Sequence, residues 1–312
     1  MESRSIGRHV LAWFLLVGTV SCGGSTRVAA ASPAPSFTPS CVATTARDQI
    51  DHPSGPARYE TLAVNNLLRD FRVFRPATLD GSKPMPLVIL LHGSPTDAAG
   101  TEDVIHFDAQ ATAGGFLNVY PDGCSMDWDE RHASLDVDFI SHLIDRLESE
   151  YSIDKSRVYL VGISAGGFMA YRLACDLANR IAAVASVAGS MWWDDCQPAR
   201  PIPILEMHGT SDANVPYDGG GSTYHGQAMP PVMTVIHRWV AYDGCTGAPV
   251  PSLAGITTTS LWNRCGGGSV VRLDTVVGGN HTWFGSTFDP VPGEPNSSAV
   301  VWDFLKQFRL AA

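Results

Sequence analysis

Gly162-Ile163-Ser164-Ala165-Gly166-Gly167 sets a serine among glycines, and that serine has the makings of a nucleophile. A hydroxyl attacks poorly until a base takes its proton, and the base works best when an acid orients it. Flanking glycines leave room for the sharp backbone turn that exposes such an Oγ. A base and an acid follow later in the chain. Asp212 ends the segment Leu205-Glu206-Met207-His208-Gly209-Thr210-Ser211-Asp212, and His281 stands in Gly278-Gly279-Asn280-His281-Thr282-Trp283. Each comes just past an apolar run that reads as a strand. Asp212 is preferred to Asp194, Asp195 and Asp218, although an aspartate in such a loop also serves as an ordinary turn former. His281 is preferred to His208, His225 and His237, with His208 read as a structural histidine bonding loop backbone. Together Ser164, Asp212 and His281 specify acyl transfer through a covalent serine intermediate.

Residues so far apart in sequence need a scaffold to bring them together. Phe71–Phe74, Leu87–Leu91, Phe116–Tyr120, Val158–Ile163, Ala182–Val187, Ile202–Met207 and Val270–Val276 read as strands, several of them continuously apolar as in buried parallel strands. Between them Val137–Tyr151 carries Val137, Ile140, Leu143, Ile144 and Leu147 at helical spacing. Further helices are expected over Gly166–Leu177, Val232–Tyr242 and Ala299–Phe308. Strands alternating with helices predict an α/β fold with a mostly parallel central sheet and helices on both faces. Ser164 then sits where a strand ends and a helix begins. The N–H of Ala165, at that helix start, is one expected oxyanion donor. The N–H of Ser94, in His92-Gly93-Ser94-Pro95 after the strand ending at Leu91, is the second; Pro95 has none to give.

Composition narrows the setting. The 312 residues are 45% hydrophobic and 17% charged, which is ordinary for a globular domain, and the net charge is −10. An acidic chain without a basic run is a poor match for nucleic acid. Arg4 and Arg8 precede the apolar run Val10–Val20, too short to span a bilayer, so residues 1–21 read as an export signal. Two exits are open: a lipobox-like Thr19-Val20-Ser21-Cys22, leaving Cys22 lipidated at the membrane, or cleavage after Ala29-Ala30-Ala31. Residues 22–40, rich in Gly, Ser, Ala and Pro, read as a flexible tether, leaving 41–312 as the catalytic domain. With Cys22 set aside, Cys41, Cys124, Cys175, Cys196, Cys245 and Cys265 form an even set, which in an exported chain suggests disulfides. Sequence proximity suggests Cys175 with Cys196 and Cys245 with Cys265, leaving Cys41 with Cys124. Free thiols are the alternative. No Cys-x-x-Cys pair is present, so no metal site is expected.

Several segments taken together resemble one family. They are Leu91-His92-Gly93, Tyr120-Pro121-Asp122-Gly123 with Trp128, the Ser164 segment, His208-Gly209-Thr210-Ser211-Asp212 with Val215-Pro216-Tyr217, and Gly278-Gly279-Asn280-His281-Thr282-Trp283. In this order they are similar to the exported polyhydroxybutyrate depolymerase and feruloyl esterase group of α/β-hydrolases, over roughly residues 57 to 310. The resemblance implies the α/β-hydrolase fold without a large lid domain, the triad Ser164, Asp212 and His281, and no cofactor. It also supports the disulfides among Cys175, Cys196, Cys245 and Cys265. Asn280 and Phe284 depart from the family's usual residues, which bears on pocket shape. The implied substrate is a carboxylic ester, feruloyl or other cell-wall ester or a hydroxyalkanoate polyester, with Trp128, Trp192 and Trp283 as expected contacts. A serine peptidase of the same fold and a non-catalytic cell-surface binding protein are the competing readings. Oligomeric state is not legible.

Overall fold

The computed structural model describes residues 57–79, 81–222 and 226–311, all within the unit Pro39–Ala312. The expected signal segment and tether, and with them Cys22, Cys41 and His225, lie outside the described residues. In chain order the elements are β1 (Arg58–Val64), β2 (Leu67–Phe74), β3 (Met85–Leu91), α1 (Ala98–Ile105), α2 (Phe107–Gly114) and β4 (Leu117–Pro121). Next come α3 (Leu135–Glu150), β5 (Ile153–Ile163), α4 (Ala165–Asp176), β6 (Ala183–Val187), β7 (Ile204–Gly209) and α5 (Val232–Tyr242). The hairpin β8 (Val250–Ala254) and β9 (Thr257–Trp262), then β10 (Val271–Val276) and α6 (Ser297–Leu305), close the series.

The strands form one sheet in the order β1-β2-β4-β3-β5-β6-β7-β10-β9-β8. From β4 to β10 every neighbour is parallel, and the antiparallel strands are confined to the two edges. β3 shows why the centre is parallel and buried. All seven residues of Met85–Leu91 are buried. Leu87, Ile89 and Leu91 join the core on one face, while Val88 and Leu90 join the core on the other. β5 divides likewise, with Val158 and Leu160 on the first face and Tyr159 and Val161 on the second. A strand apolar on both sides needs cover on both sides. Helices α3, α4 and α5 supply it on one face, and α1, α2 and α6 on the other. This is the α/β-hydrolase fold, without a large additional domain among the described residues.

Local signals set the element ends. Ser134 caps α3 by accepting from the Val137 N–H, and Asp136 and Asp138 occupy the first turn, where carboxylates favour the positive end of the helix dipole. The strand expected over Ile202–Met207 runs from Ile204 to Gly209, so His208 belongs to β7 itself and not to the loop beyond it. Cys175–Cys196 and Cys245–Cys265 are disulfides, pairing as their proximity suggested. Cys124 is disulfide-bonded too, although Cys41 lies outside the described residues. The first of these ties the last turn of α4 to the loop after β6, closing a loop with a sequence separation of 21. Replacing both cysteines with alanine is expected to lower unfolding free energy by roughly 3 kcal/mol through the freed unfolded chain. Urea unfolding of the two proteins checks this; an unchanged midpoint would show that the loop contributes nothing.

Candidate active site

Because the central strands are parallel, their C-terminal ends open on one edge of the sheet, where such folds gather ligands. Ser164 follows β5, Asp212 follows β7 and His281 follows β10, while the Gly93–Ser94 loop follows β3. β3 and β5 are neighbours, and so are β7 and β10. Topology thus delivers to one place what the sequence spreads over more than a hundred residues.

Ser164 is held in a turn that few residues adopt. Its φ is 56° and ψ −123°, a region costing a non-glycine residue about 1–3 kcal/mol. The turn survives because its surroundings fix it: the Ser164 N–H donates to Val187 O at 2.9 Å, and its carbonyl accepts from the Phe168 N–H at 3.0 Å. The glycines allow this packing. A Cβ at Gly162 would stand 2.0 Å from the Gly166 carbonyl oxygen, and one at Gly166 would stand 2.2 Å from that of Leu91. Backbone meets backbone at both positions, so neither contact can be relieved by a rotamer change.

A continuous chain of hydrogen bonds runs from this serine. His281 Nε2 is 2.9 Å from Ser164 Oγ, and His281 Nδ1 is 2.8 Å from Asp212 Oδ2. Asp212 Oδ1 accepts the N–H groups of Asn214 at 2.9 Å and Val215 at 2.7 Å. Burial alone would push the Asp212 carboxyl up; hydrogen bonds from His208, His281 and Val215 outweigh it and hold the group well below the ordinary carboxylate range. An ionised Asp212 fixes the imidazole with Nδ1–H toward itself, which leaves the Nε2 lone pair free to accept the Ser164 proton. Among the alternatives, Asp195, Asp218 and His237 do not converge here, whereas His208 lies behind Asp212, 3.4 Å from Oδ2. Asp195 is engaged with Arg172 at 2.6 Å, Asp218 is exposed, and His237 lies edge-on to Trp262.

The two expected oxyanion donors flank the serine. Ala165 opens α4, so its N–H has no acceptor within the helix. Ser94 lies in the loop whose Gly93 approaches closely enough that a Cβ there would be 3.4 Å from Ser164 Cβ. Both Ala165 and Ser94 line the same cavity as Ser164 and His281. His92 steadies this loop. Its Nε2 accepts from the Gly123 N–H at 2.8 Å, so its Nδ1–H donates to Gly93 O at 2.6 Å.

The cavity has a volume of about 880 Å³, and its apolar walls include Val104, Ile105, Phe168, Met229, Trp283 and Phe288. Of the three tryptophans expected to meet a substrate, only Trp283 borders it, and that ring is 1% exposed with its Nε1–H donated to Ser298 Oγ. Trp128 and Trp192 do not line the cavity. The indole N–H of Trp128 goes to the His92 carbonyl at 2.9 Å and its ring packs on that imidazole, so it secures the loop behind Ser164. Trp192 is half-buried, edge-on to Trp193. Sequence reasoning passed over Phe288, 61% exposed at the cavity, since a lone aromatic in a Gly- and Pro-rich loop has no periodicity to mark it. It also passed over Glu206, for which a signal existed: a carboxylate inside an apolar strand needs a buried partner.

Comparison with known proteins agrees with this architecture. A sequence model of the Alpha/beta hydrolase family matches residues 88–293. Feruloyl esterase B of Piromyces equi is 32% identical over 259 residues, covering 75% of this chain and 44% of that protein, so the chain spans less than half the length of that relative. The putative esterase NocK of Nocardia uniformis subsp. tsuyamanensis is 30% identical, with 90% of each chain covered. Among solved structures, the acetyl xylan esterase from Aspergillus awamori superposes with a TM-score of 0.57 at 14% identity, covering 72% of this chain and 94% of that one. That last likeness is one of fold.

Proposed function

We propose that this chain, which belongs to the Alpha/beta hydrolase family, is an exported carboxylic-ester hydrolase that works through an acyl-enzyme on Ser164. The observation that carries the reading is the unbroken Ser164–His281–Asp212 hydrogen-bond chain at the floor of an apolar-walled cavity. His281 takes the Ser164 proton as Oγ attacks the ester carbonyl. The N–H groups of Ala165 and Ser94 receive the oxyanion, and the alcohol leaves with the proton from His281. Water then repeats the sequence and frees the acid, restoring Ser164. Asp212 holds the tautomer and stabilises the imidazolium.

The cavity favours a bulky ester with one apolar, flat or extended part. Val104 and Phe288 stand exposed beside it, an arrangement open enough for a chain end of a polymer. The names of the relatives favour feruloyl or acetyl esters of cell-wall polysaccharide over hydroxyalkanoate polyesters. The disulfides Cys175–Cys196 and Cys245–Cys265 support an oxidising destination, and Cys22 is the residue through which a lipid anchor would be attached.

The purified protein would be assayed on p-nitrophenyl esters of rising acyl length, methyl ferulate, acetylated xylan, hydroxybutyrate oligomers and a matching amide. An organophosphate would be added to trap the nucleophile. We expect ester hydrolysis well above amide hydrolysis and one phosphoryl group on the peptide containing Ser164. Hydrolysis of none of the esters, or labelling elsewhere, would overturn the reading. Labelled palmitate that never enters the protein would remove the anchor.

A further inference from the structure

The hydrogen-bond chain does not end at Asp212. Behind it, on β7, His208 is fully buried, and each of its ring nitrogens faces oxygen. Nδ1 lies 2.8 Å from Glu206 Oε1. Nε2 lies 2.8 Å from the Val215 carbonyl oxygen and 3.4 Å from Asp212 Oδ2. A neutral imidazole has one N–H and one lone pair. With Glu206 acting as an acceptor toward Gly189 and Tyr171, whichever nitrogen carried the lone pair here would point it at another acceptor, so both carry protons.

We infer that His208 is a permanently protonated positioning residue, a buried imidazolium that holds Asp212 by charge and Val215 by hydrogen bond and so keeps the carboxylate aimed at His281. The inference rests on the proposed roles of Ser164, Asp212 and His281.

The surroundings are built for that cation. Glu206, itself 1% exposed, balances it from below. The Gly189 N–H donates to Glu206 Oε1 at 3.2 Å and the Tyr171 hydroxyl to Oε2 at 2.7 Å, so the carboxylate has its bonds satisfied as an anion. Burial, and then the neighbouring Glu206 charge, hold the Tyr171 hydroxyl well above its usual range, so it remains a neutral donor. Tyr217 meets His208 edge-on and sends its hydroxyl to Thr275, not to the imidazole. Burial works against the His208 charge, but the bonds to Asp212 and Glu206 prevail and lift it to about 9. The charges therefore alternate from the interior outward: Glu206 negative, His208 positive, Asp212 negative, then His281, which must change charge in each turnover. Val215 is gripped twice, its N–H by Asp212 Oδ1 and its carbonyl by His208. That double grip sets the loop that aims Asp212.

His208→Gln separates charge from hydrogen bonding, since its amide N–H can still reach the Val215 carbonyl. Without the cation, Asp212 should hold the proton on His281 more tightly. We expect the acid limb of the kcat/KM profile to move up by roughly one pH unit. At neutral pH, kcat should fall about threefold with KM little changed, and activity should recover as pH is raised. The double variant Glu206→Gln/His208→Gln, which leaves no unpaired buried charge, guards against misfolding and should show a shift in the same direction. Nitrogen-15 spectra of the wild type should show His208 with both ring nitrogens protonated at neutral pH. An unshifted acid limb in the folded variants, or a neutral His208 in those spectra, would overturn the inference. Ser164→Ala measured alongside keeps the two claims apart: a fully active Ser164→Ala protein defeats the proposed function, whereas the His208 spectra need no activity at all.

Discussion

Ser164→Ala is expected to lower ester turnover by about five to six orders of magnitude, with residual hydrolysis coming from substrate binding and the oxyanion donors alone. The size of the effect follows from the geometry. The Oγ is the group that His281 Nε2 meets, at 2.9 Å, and among the described residues no other hydroxyl is hydrogen-bonded to that nitrogen. Stability should hardly change, because the structural bonds of residue 164 are made by its backbone, to Val187 and Phe168. Ser164→Gly makes a companion case. It should be equally inactive yet more stable by about 1 kcal/mol, since glycine adopts φ 56°, ψ −123° without the side-chain penalty. Turnover numbers and thermal midpoints of the three proteins, measured together, test the pair. Residual activity within tenfold of the wild type would sink the covalent mechanism. A glycine variant less stable than the alanine variant would remove the claim that the turn is strained.

Asp212→Asn should cut kcat by about three to four orders of magnitude without unfolding the chain. The pattern of donors around the carboxylate gives the reason. Oδ1 accepts two backbone N–H groups, from Asn214 and Val215. An asparagine would have to place its carbonyl oxygen there. Its NH₂ would then replace Oδ2 and point at His281 Nδ1, forcing that nitrogen to accept. The imidazole would carry its proton on Nε2, toward Ser164, and could no longer take the serine proton. The same NH₂ would oppose the His208 Nε2–H at 3.4 Å. Steady-state kinetics beside thermal unfolding check this, and a loss below tenfold would point to a different acid.

The parts of this molecule that were legible in the sequence are those where one physical demand acts alone. β3 and the second half of β5 read as buried strands because a parallel strand covered on both faces has no polar side to interrupt the run. Helix α3 read clearly because one face is buried and the other wet. The sheet edges did not read. β8 has all five residues exposed, so no burial pattern marks it. Helices α1 and α2, eight residues each, are too short and too rich in Ala and Gly to show a stripe. At the site, Ser164, Asp212 and His281 stood out as residue types in loops after apolar runs, and the structure brings them together. Trp128 and Trp192, unlike Trp283, do not line the cavity, for a physical reason. Residue type says that an indole wants an apolar surface and one acceptor, but not whether a ligand or the His92 carbonyl provides them. His208 was read as a backbone-binding histidine, which its contact with Val215 supports. Its carboxylate neighbours were not foreseen, because Glu206 was read as part of an apolar strand.

Four strand ends, those of β3, β5, β7 and β10, each contribute one piece of the site. None of the pieces touches another unless the intervening strands have docked in register. A partly assembled sheet could keep α3 on β5 and still hold Ser164 far from His281. Turnover is therefore a gauge of cooperativity: under denaturant it should vanish with the whole sheet and not ahead of it. Any agent that abolishes the proposed turnover while the core stays intact must be acting within the loops themselves. The loop bearing Phe288 is the first place to look, since Glu294 holds it together by purely local bonds to the N–H groups of Gly285 and Val291.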